Sequence, residues 1–132
     1  GYLIGNIAST SSGYIYKTID GGITWSRASN IQTPDILKIQ MIDASNGYAV
    51  GKNGLLLKTI DGGGDWKIIA SLGILTTHIN DLYFKDASTG IIVGNAGLCK
   101  RTADGGASWT AVTGIASTAE DVKSITWDKY NT

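Results

Sequence analysis

The sequence predicts an all-β fold, and two observations carry this prediction: a phrase that recurs along the chain, and short strand-like runs between its copies. The phrase has the form Lys/Arg-Thr-x-Asp-Gly-Gly-x-x-Trp and occurs at 17–25 (KTIDGGITW), 58–66 (KTIDGGGDW) and 101–109 (RTADGGASW). Asp20 and Asp61 are 41 residues apart, and Asp61 and Asp104 are 43 apart. A repeat of this length indicates a supersecondary unit that is stacked several times.

Each unit is predicted to contain four short strands, which in the second unit fall at 36–42, 47–51, 55–60 and 65–70. Runs rich in Ile, Val, Leu and Tyr favour strands, and Asn-Gly at 46–47 and 53–54 and Asp-Gly at 61–62 favour hairpin turns. Four strands per unit and a period in the low forties are typical of a β-propeller blade. One such sheet cannot bury both of its faces, so the blades must stack.

We expect a single domain, 1–132, of three four-stranded blades made by units 122–132 plus 1–29, 36–70 and 79–113. Residues 122–132 carry a first-strand phrase, and residue 1 opens a second-strand phrase. The repeat is therefore opened in the turn between strands one and two, as in a circular permutation. Three blades are too few to close a ring. We expect either a second chain, giving six blades, or the missing sequence of a longer parent to complete it.

Composition limits the partners and cofactors. Acidic and basic residues balance at 11 each, with no basic stretch, so nucleic acid is not expected as a partner. No apolar run has the length of a membrane span, so membrane insertion is not expected either. Cys99 is the single cysteine, which excludes an internal disulfide and favours a small buried hydrophobe. We expect no metal and no cofactor, because no metal-ligand spacing or phosphate loop occurs.

The repeated phrase itself is predicted to be a fold device. It lies on the hairpin between strands three and four, where the Asp carboxylate and the Thr hydroxyl can accept bonds from turn N–H groups. The glycines permit positive φ, and the Trp ring packs against the hairpin or the neighbouring blade. In the middle copy, Asp65 stands where the others have Thr24 and Ser108, and we expect this to weaken one local hydrogen bond and to leave the turn intact. The residues given this structural role are Thr18, Asp20, Gly22, Trp25, Thr59, Asp61, Gly63, Trp66, Thr102, Asp104, Gly106 and Trp109.

The phrase resembles the Asp-box, Ser/Thr-x-Asp-x-Gly-x-Thr-Trp, also called the bacterial neuraminidase repeat. The fuller pattern G-x-x-G-x-x-x-K-T-x-D-G-G-x-T-W is most similar to that of propellers related to the photosystem II assembly and stability factor. The resemblance covers essentially the whole chain and implies a β-propeller. It implies little about function, because Asp-boxes occur in sialidases, sortilin-like receptors, xyloglucanases and assembly factors alike.

No catalytic set can be assembled from these residues. A sialidase-like site would need three arginines, and the chain has only Arg27 and Arg101. A xyloglucanase-like site would need two carboxylates across a cleft. Asp35 and Asp121 directly precede first strands, and Asp81 and Glu120 lie nearby in the sequence. These acids are better explained as solvated residues. His78 is alone. We therefore predict that the protein is not an enzyme.

Binding is predicted on the loops at the rim opposite the Asp-box turns, because loops on a rigid scaffold commonly carry function. The first unit differs from the others by five inserted residues, 7–11. The recurring basic residues Lys17, Lys58 and Arg101 are expected to form a solvated ring near the Asp-box rim, or a docking patch. The candidate binding residues are Asn6, Ser9, Asp35, Asn53, His78 and Asn95.

These features together predict a non-catalytic scaffold that mediates protein–protein interaction or assembly, in an extracytoplasmic setting (periplasmic, secreted, surface or virion). One alternative is a carbohydrate-binding or glycan-processing propeller, which would have a glycan as its partner. A further alternative is an excised or engineered propeller fragment that self-assembles. A homo-oligomer of two chains is expected, and the identity of a protein partner is not encoded in any motif.

Overall fold

The computed structural model describes residues 1–28, 31–69, 76–115 and 120–128. Over these residues the protein is all-β, with a single 3₁₀ turn at Lys52–Gly54. Within the same ranges, no helix is long and apolar enough to cross a membrane. The strands are β1 (Tyr2–Ile7), β2 (Ser12–Lys17), β3 (Ser26–Arg27), β4 (Ile36–Met41), β5 (Gly47–Gly51), β6 (Leu56–Thr59), β7 (Lys67–Ile68), β8 (Ile79–Phe84), β9 (Gly90–Gly94), β10 (Cys99–Thr102) and β11 (Thr110–Ala111).

The strands form three antiparallel sheets in which sequence neighbours pair. The first blade is β1-β2-β3, the second is β4-β5-β6-β7, and the third is β8-β9-β10-β11. Each is a meander, as the hairpin turn signals predicted. The predicted β-propeller class and its repeat are confirmed.

Strand bounds in the second blade agree with the sequence prediction except at the last strand. A strand was expected at 65–70, and β7 covers only Lys67–Ile68. Residue 70 lies outside the described residues, and Trp66, which precedes β7, packs in the core with 0% of its surface exposed.

Residues 122–128 carry the first-strand phrase of the first unit but lie alongside the third blade. The Val122 N–H donates to the Gly94 carbonyl at 2.9 Å, and the Asn80 side-chain amide donates to the Val122 carbonyl at 2.9 Å. The Tyr83 and Trp127 rings stack with centroids 5.6 Å apart. The first blade consequently has three strands, and one edge of β1 has no strand partner in the described part of the chain.

The hydrophobic core lies between the blades rather than inside each sheet. One cluster joins Ile15 of the first blade to Ile36, Leu57 and Trp66 of the second. The other joins residues of the second and third blades, and at its centre Tyr48 stacks on Phe84 with ring centroids 3.8 Å apart. The blades therefore stabilise one another, which is the physical reason for the repeat.

Cys99 is 8% exposed, and burial raises the pKa of its thiol. A raised thiol pKa lowers the thiolate fraction and with it the reactivity. The prediction that Cys99 is a small buried hydrophobe is confirmed.

Candidate functional site

The Asp-box hairpins each hold a closed hydrogen-bond network. In the third, Thr102 Oγ1 donates to Asp104 Oδ1 at 2.8 Å and accepts the Gly106 N–H at 2.9 Å. Asp104 also accepts the Ser108 N–H at 2.9 Å and the Ser108 hydroxyl at 2.5 Å. The first hairpin repeats these bonds with Thr18, Asp20, Gly22 and Thr24. Each carboxylate is thus occupied inside its own turn.

These hydrogen bonds favour the ionised carboxylates. The Ser108 hydroxyl, followed by the Ser108 N–H, lowers the pKa of Asp104 to about 2. The Thr24 hydroxyl likewise holds the pKa of Asp20 well below its usual range. At Asp61 the pKa is lowered chiefly by the Asp65 N–H. Carboxyls of such low pKa are poor general acids near neutral pH, so their chemistry suits a structural role.

The middle Asp-box departs from the other two. Asp65 has no hydroxyl to donate, yet the Gly64 and Asp65 N–H groups still bond Asp61 Oδ1 at 2.9 and 3.0 Å. The middle turn therefore keeps its backbone hydrogen bonds to Asp61 and has no counterpart of the hydroxyl bond that Thr24 and Ser108 make. Trp66 is fully buried, and its Nε1 has no hydrogen-bond partner among the described residues.

In the other two boxes the Trp ring is less buried and better bonded. Trp25 is 40% exposed, whereas Trp66 is fully buried. Trp25 Nε1 donates to the Gly22 carbonyl at 3.1 Å, and Trp109 Nε1 donates to the Gly106 carbonyl at 3.2 Å. The Trp66 ring of the middle Asp-box therefore contributes to stability through packing alone.

The Asp-box turn also receives the neighbouring blade. Tyr2 and Lys17 of the first blade donate their side-chain OH and Nζ to the Gly62 carbonyl at 2.5 and 2.6 Å. Gly62 has φ +70°, and a Cβ on Gly63 would lie 2.6 Å from the Tyr2 ring. Only glycine fits where the two blades approach so closely.

The same contact joins the second and third blades. Tyr48 OH and Lys58 Nζ donate to the Gly105 carbonyl at 2.9 and 3.3 Å. The expectation that Lys17 and Lys58 form a solvated basic ring is therefore wrong. Sequence spacing places these lysines at one repeat position but does not show that the next blade covers them.

At the opposite rim, the turn that follows the second strand of a blade is hydrogen-bonded to the residues that precede the first strand of the next blade. The Gly54 N–H donates to the Thr77 carbonyl at 2.8 Å, and the Asn53 N–H donates to His78 Nδ1 at 3.2 Å. One blade further on, the Gly97 N–H bonds the Glu120 carbonyl, and the Ala96 N–H bonds Asp121 Oδ1. In the described part of the rim, hydrogen bonds therefore hold residues 53–54 to 77–78 and residues 96–97 to 120–121.

The side chains of Asn6, Asp35 and Asn95 also have structural partners. The Asn6 side-chain amide bonds both the N–H and the C=O of Ile36 at 3.0 Å. Asp35 Oδ2 accepts Lys52 Nζ at 2.6 Å, so Asp35 is half-buried and paired rather than solvated. Asn95 Oδ1 accepts the Asn80 side-chain amide at 2.8 Å.

The remaining rim residues present groups to solvent. Ser9 and Asn53 are exposed. His78 is half-buried, and because its Nδ1 accepts the Asn53 N–H, the neutral ring carries its proton on Nε2. A binding role for the rim set remains a prediction.

The acids considered for catalysis do not converge. Asp81 is 6% exposed and accepts the Leu82 N–H and the Ile125 N–H at 2.8 and 3.0 Å, with Lys38 Nζ at 3.6 Å. It joins three consecutive first-strand segments. Asp121 is held by Lys123, whose ammonium lowers the pKa of that carboxyl. Across the described ranges, no three His, Cys, Asp or Glu side chains are grouped as a metal site.

Inter-blade cores, Asp-box hairpins and a loop rim define a β-propeller of the Asp-box class. The protein-family model described as photosynthesis system II assembly factor YCF48 matches residues 27–113 of this chain. The chain belongs to this family.

Among solved structures, one described as YCF48 bound to D1 peptide is 35% identical over 58% of this chain and 25% of that chain, with a TM-score of 0.53. An ancestral GH74 enzyme has a TM-score of 0.71 at 16% identity, covering 92% of this chain and 19% of that chain. YCF48 from Cyanidioschyzon merolae has a TM-score of 0.64 at 18% identity, and the match covers 91% of this chain and 39% of that chain.

The chain thus spans between 19% and 39% of the lengths of these matched chains. The two matches of lower identity show the fold alone. A search of curated proteins found no match.

Proposed function

We propose that the chain is a non-catalytic β-propeller scaffold that binds an extended segment of a protein partner. The observation that carries the proposal is the 35% identity to YCF48 in a structure described as bound to D1 peptide. An assembly factor acts by holding another chain, and a propeller offers a rigid surface for this. This chain covers a quarter of that protein, so the position of the peptide in that complex does not define a site in this chain.

The loop rim is the surface that supports peptide binding best. Where the rim is described, hydrogen bonds between consecutive blades hold its backbone, so little conformational entropy is lost there when a partner docks. Asn53, the His78 Nε2–H and Ser9 together provide side-chain donors and acceptors along the edge, which an extended backbone can use. Residues 7–11 add a loop that the other blades lack.

A catalytic role has no support in the described residues. The carboxylates of the Asp-boxes are occupied within their turns, and Asp81 uses both oxygens to join neighbouring strands. An acid–base pair would need one carboxyl of raised pKa and one that is free to reach substrate.

The extracytoplasmic setting is a further part of this proposal and rests on resemblance; immunodetection in fractions of the source cells tests it.

The proposal is tested by probing the 132-residue chain in parallel with an array of extended peptides that includes the D1 peptide, and with a glycan array. We expect saturable binding to peptides and none to glycans. Saturable glycan binding without peptide binding would overturn the proposal in favour of a carbohydrate-binding propeller.

A loop exchange then localises the site. Residues 7–11 are replaced by the short Lys52–Gly54 turn, while Asn6 is kept because it bonds Ile36. We expect weaker binding of the best peptide at unchanged folding. Lys67→Ala, on the outer strand away from the rim, serves as the control. Unchanged affinity in the loop variant would remove this loop from the site.

A further inference from the structure

At the loop rim, the second and third blades are joined by a side chain that can change its charge. His78 precedes β8 and is anchored on the third blade, because its carbonyl accepts the Asn95 N–H at 3.0 Å. Its imidazole reaches the second blade, where Nδ1 accepts the Asn53 N–H at 3.2 Å. We call this hydrogen bond between Asn53 and His78 the rim link.

A second hydrogen bond at the same place does not depend on a titratable group. The Gly54 N–H donates to the Thr77 carbonyl at 2.8 Å, and both are backbone groups. Asn53 and Gly54 form a tight turn with left-handed backbone, at φ +55° and +69°. Within the described residues, the rim link and the Gly54 bond hold this turn to the segment that precedes the third blade.

The next boundary makes the equivalent bond with an aspartate. Asp121 precedes the following first-strand phrase as His78 precedes β8, and its Oδ1 accepts the Ala96 N–H at 3.1 Å. Ala96 has φ +54° and occupies the place of Asn53 in its own turn. Aspartate Oδ1 and histidine Nδ1 lie the same number of bonds from Cα, so either atom can accept this N–H. The chain therefore builds one bond twice, with acceptors of different acid–base chemistry.

The two acceptors respond differently to acid. Hydrogen bonds from Lys123 and then from the Ala96 N–H lower the pKa of Asp121, so this carboxylate still accepts in mildly acidic solution. An imidazole side chain gains its positive charge between about pH 5 and pH 8. Both of its ring nitrogens are then donors. A protonated Nδ1 would face the Asn53 N–H donor to donor, and the rim link cannot form.

The charges around His78 accommodate a protonated ring. The charged side chains of the neighbouring segments are Lys52 with its partner Asp35, Glu120, Asp121 and Lys123. The Lys52 ammonium is already paired with a carboxylate at 2.6 Å. A charged His78 lies near enough to Asp121 to contribute to the lowered pKa of that carboxyl. Asp121 therefore attracts the imidazolium, although it cannot restore the bond to Asn53.

We propose that the rim link is a pH-sensitive switch that regulates the peptide-binding rim. With a neutral imidazole, two hydrogen bonds hold the turn 52–54 against the third blade. When a proton from solvent adds to His78 Nδ1, the Asn53 N–H is released and the turn keeps only the Gly54 bond. The regulatory part rests on the proposed function, because Asn53 and His78 belong to the candidate binding residues, whereas the switch itself is a property of the free chain.

NMR of the free 132-residue chain between about pH 5 and pH 8 tests the switch without a ligand. Imidazole nitrogen shifts should show the proton on Nε2 at the upper end of this range. Exchange of the Asn53 amide with water, corrected for the intrinsic pH dependence, should become about threefold to tenfold faster as His78 is protonated. The Ala96 amide is the internal control, and its corrected exchange rate should stay constant.

Exchanging the two acceptors supplies matched variants. His78→Asp installs the residue of the next boundary and should keep the Asn53 amide protected across the whole range. Asp121→His should do the reverse and make exchange of the Ala96 amide depend on pH. His78→Gln does not titrate, so it should also abolish the pH dependence at Asn53, and it replaces His78→Asp if circular dichroism shows that variant to be unfolded.

Three results on the free chain would overturn the switch. They are constant protection of the Asn53 amide, a neutral ring with its proton on Nδ1, or pH dependence at Asn53 that persists in His78→Asp. Constant protection of the Asn53 amide would leave the rim free to bind peptide, so it would not contradict the proposed function.

A peptide titration tests the regulatory part. Affinity for the D1 peptide, or for the best peptide of the array, should fall on acidification in the wild type and stay level in His78→Asp. An equal fall in both proteins would overturn the regulatory role of the rim link. Absence of peptide binding at every pH would contradict the proposed function, and the amide measurements would still decide the switch.

Discussion

At the residue scale, the aspartate of each Asp-box acts as a hydrogen-bond acceptor for its own turn. Its partners lie two to four residues away, as Thr102 and Ser108 do from Asp104. Contacts this local can be predicted from sequence, because turn chemistry depends on neighbouring residues alone. The unpartnered Trp66 Nε1 could not be predicted, since it depends on how deeply the blades bury that ring.

The depressed carboxyl pKa values predict acid sensitivity. The pKa of Asp104 falls from 3.8 to about 2 in the folded protein. A lowered folded pKa stabilises the protein above the unfolded value, and this contribution is lost as pH falls through the folded value. We expect the urea midpoint of the wild type to fall between about pH 4 and about pH 2 more steeply than that of Asp104→Asn. Parallel profiles of the two proteins would contradict the assignment.

The buried indole predicts a large packing contribution. Replacing Trp66 by Ala should lower the free energy of unfolding by about 3–5 kcal/mol, because the fully buried ring joins two blades. Trp66→Phe should cost much less, since it keeps a ring and removes an unpartnered N–H. Ile68→Ala, at an exposed position of the same hairpin, is the control and should change stability by less than about 0.5 kcal/mol. Equal losses for Trp66→Ala and Ile68→Ala in urea titrations would refute this role.

At the scale of the elements, the strand pattern and turns were predictable, but contacts across blades were not. β4, β5 and β6 lie within a residue of their predicted bounds. By contrast, Gln40 in β4 bonds the Phe84 backbone of the next blade through both ends of its amide. No repeat position signals this pair, because Tyr83 and Thr126 occupy the equivalent places.

The Gln40 amide should contribute measurably to the boundary between the second and third blades. Gln40→Met keeps the length of the side chain but leaves the Phe84 N–H and C=O without their partner. Stranding partly buried backbone groups costs about 1–3 kcal/mol. Chemical unfolding of Gln40→Met should show a loss in this range, and Gln32→Met, at an exposed site, should show little. A neutral Gln40→Met variant would mean that water replaces the amide at no cost.

At the scale of the whole molecule, the sequence predicted stacked blades but not how they contact. Periodicity showed that the blades are equivalent, and apolar strands showed that they must cover one another. The roles of Tyr2 and Lys17 at the Gly62 carbonyl required the three-dimensional arrangement. For the same reason Lys17 and Lys58, which were expected to be solvated, are inter-blade contacts.

The central claim is that the loop rim binds a peptide while the Asp-boxes hold the fold. Hydrogen exchange of the 132-residue chain, measured by mass spectrometry with and without the D1 peptide or the best peptide of the array, tests this claim most directly. We expect added protection at residues 6–11, 52–54, 78 and 95–97, and no change at the hairpins 18–25, 59–66 and 102–109. Protection confined to those hairpins, or no protection at a saturating peptide concentration, would contradict the claim.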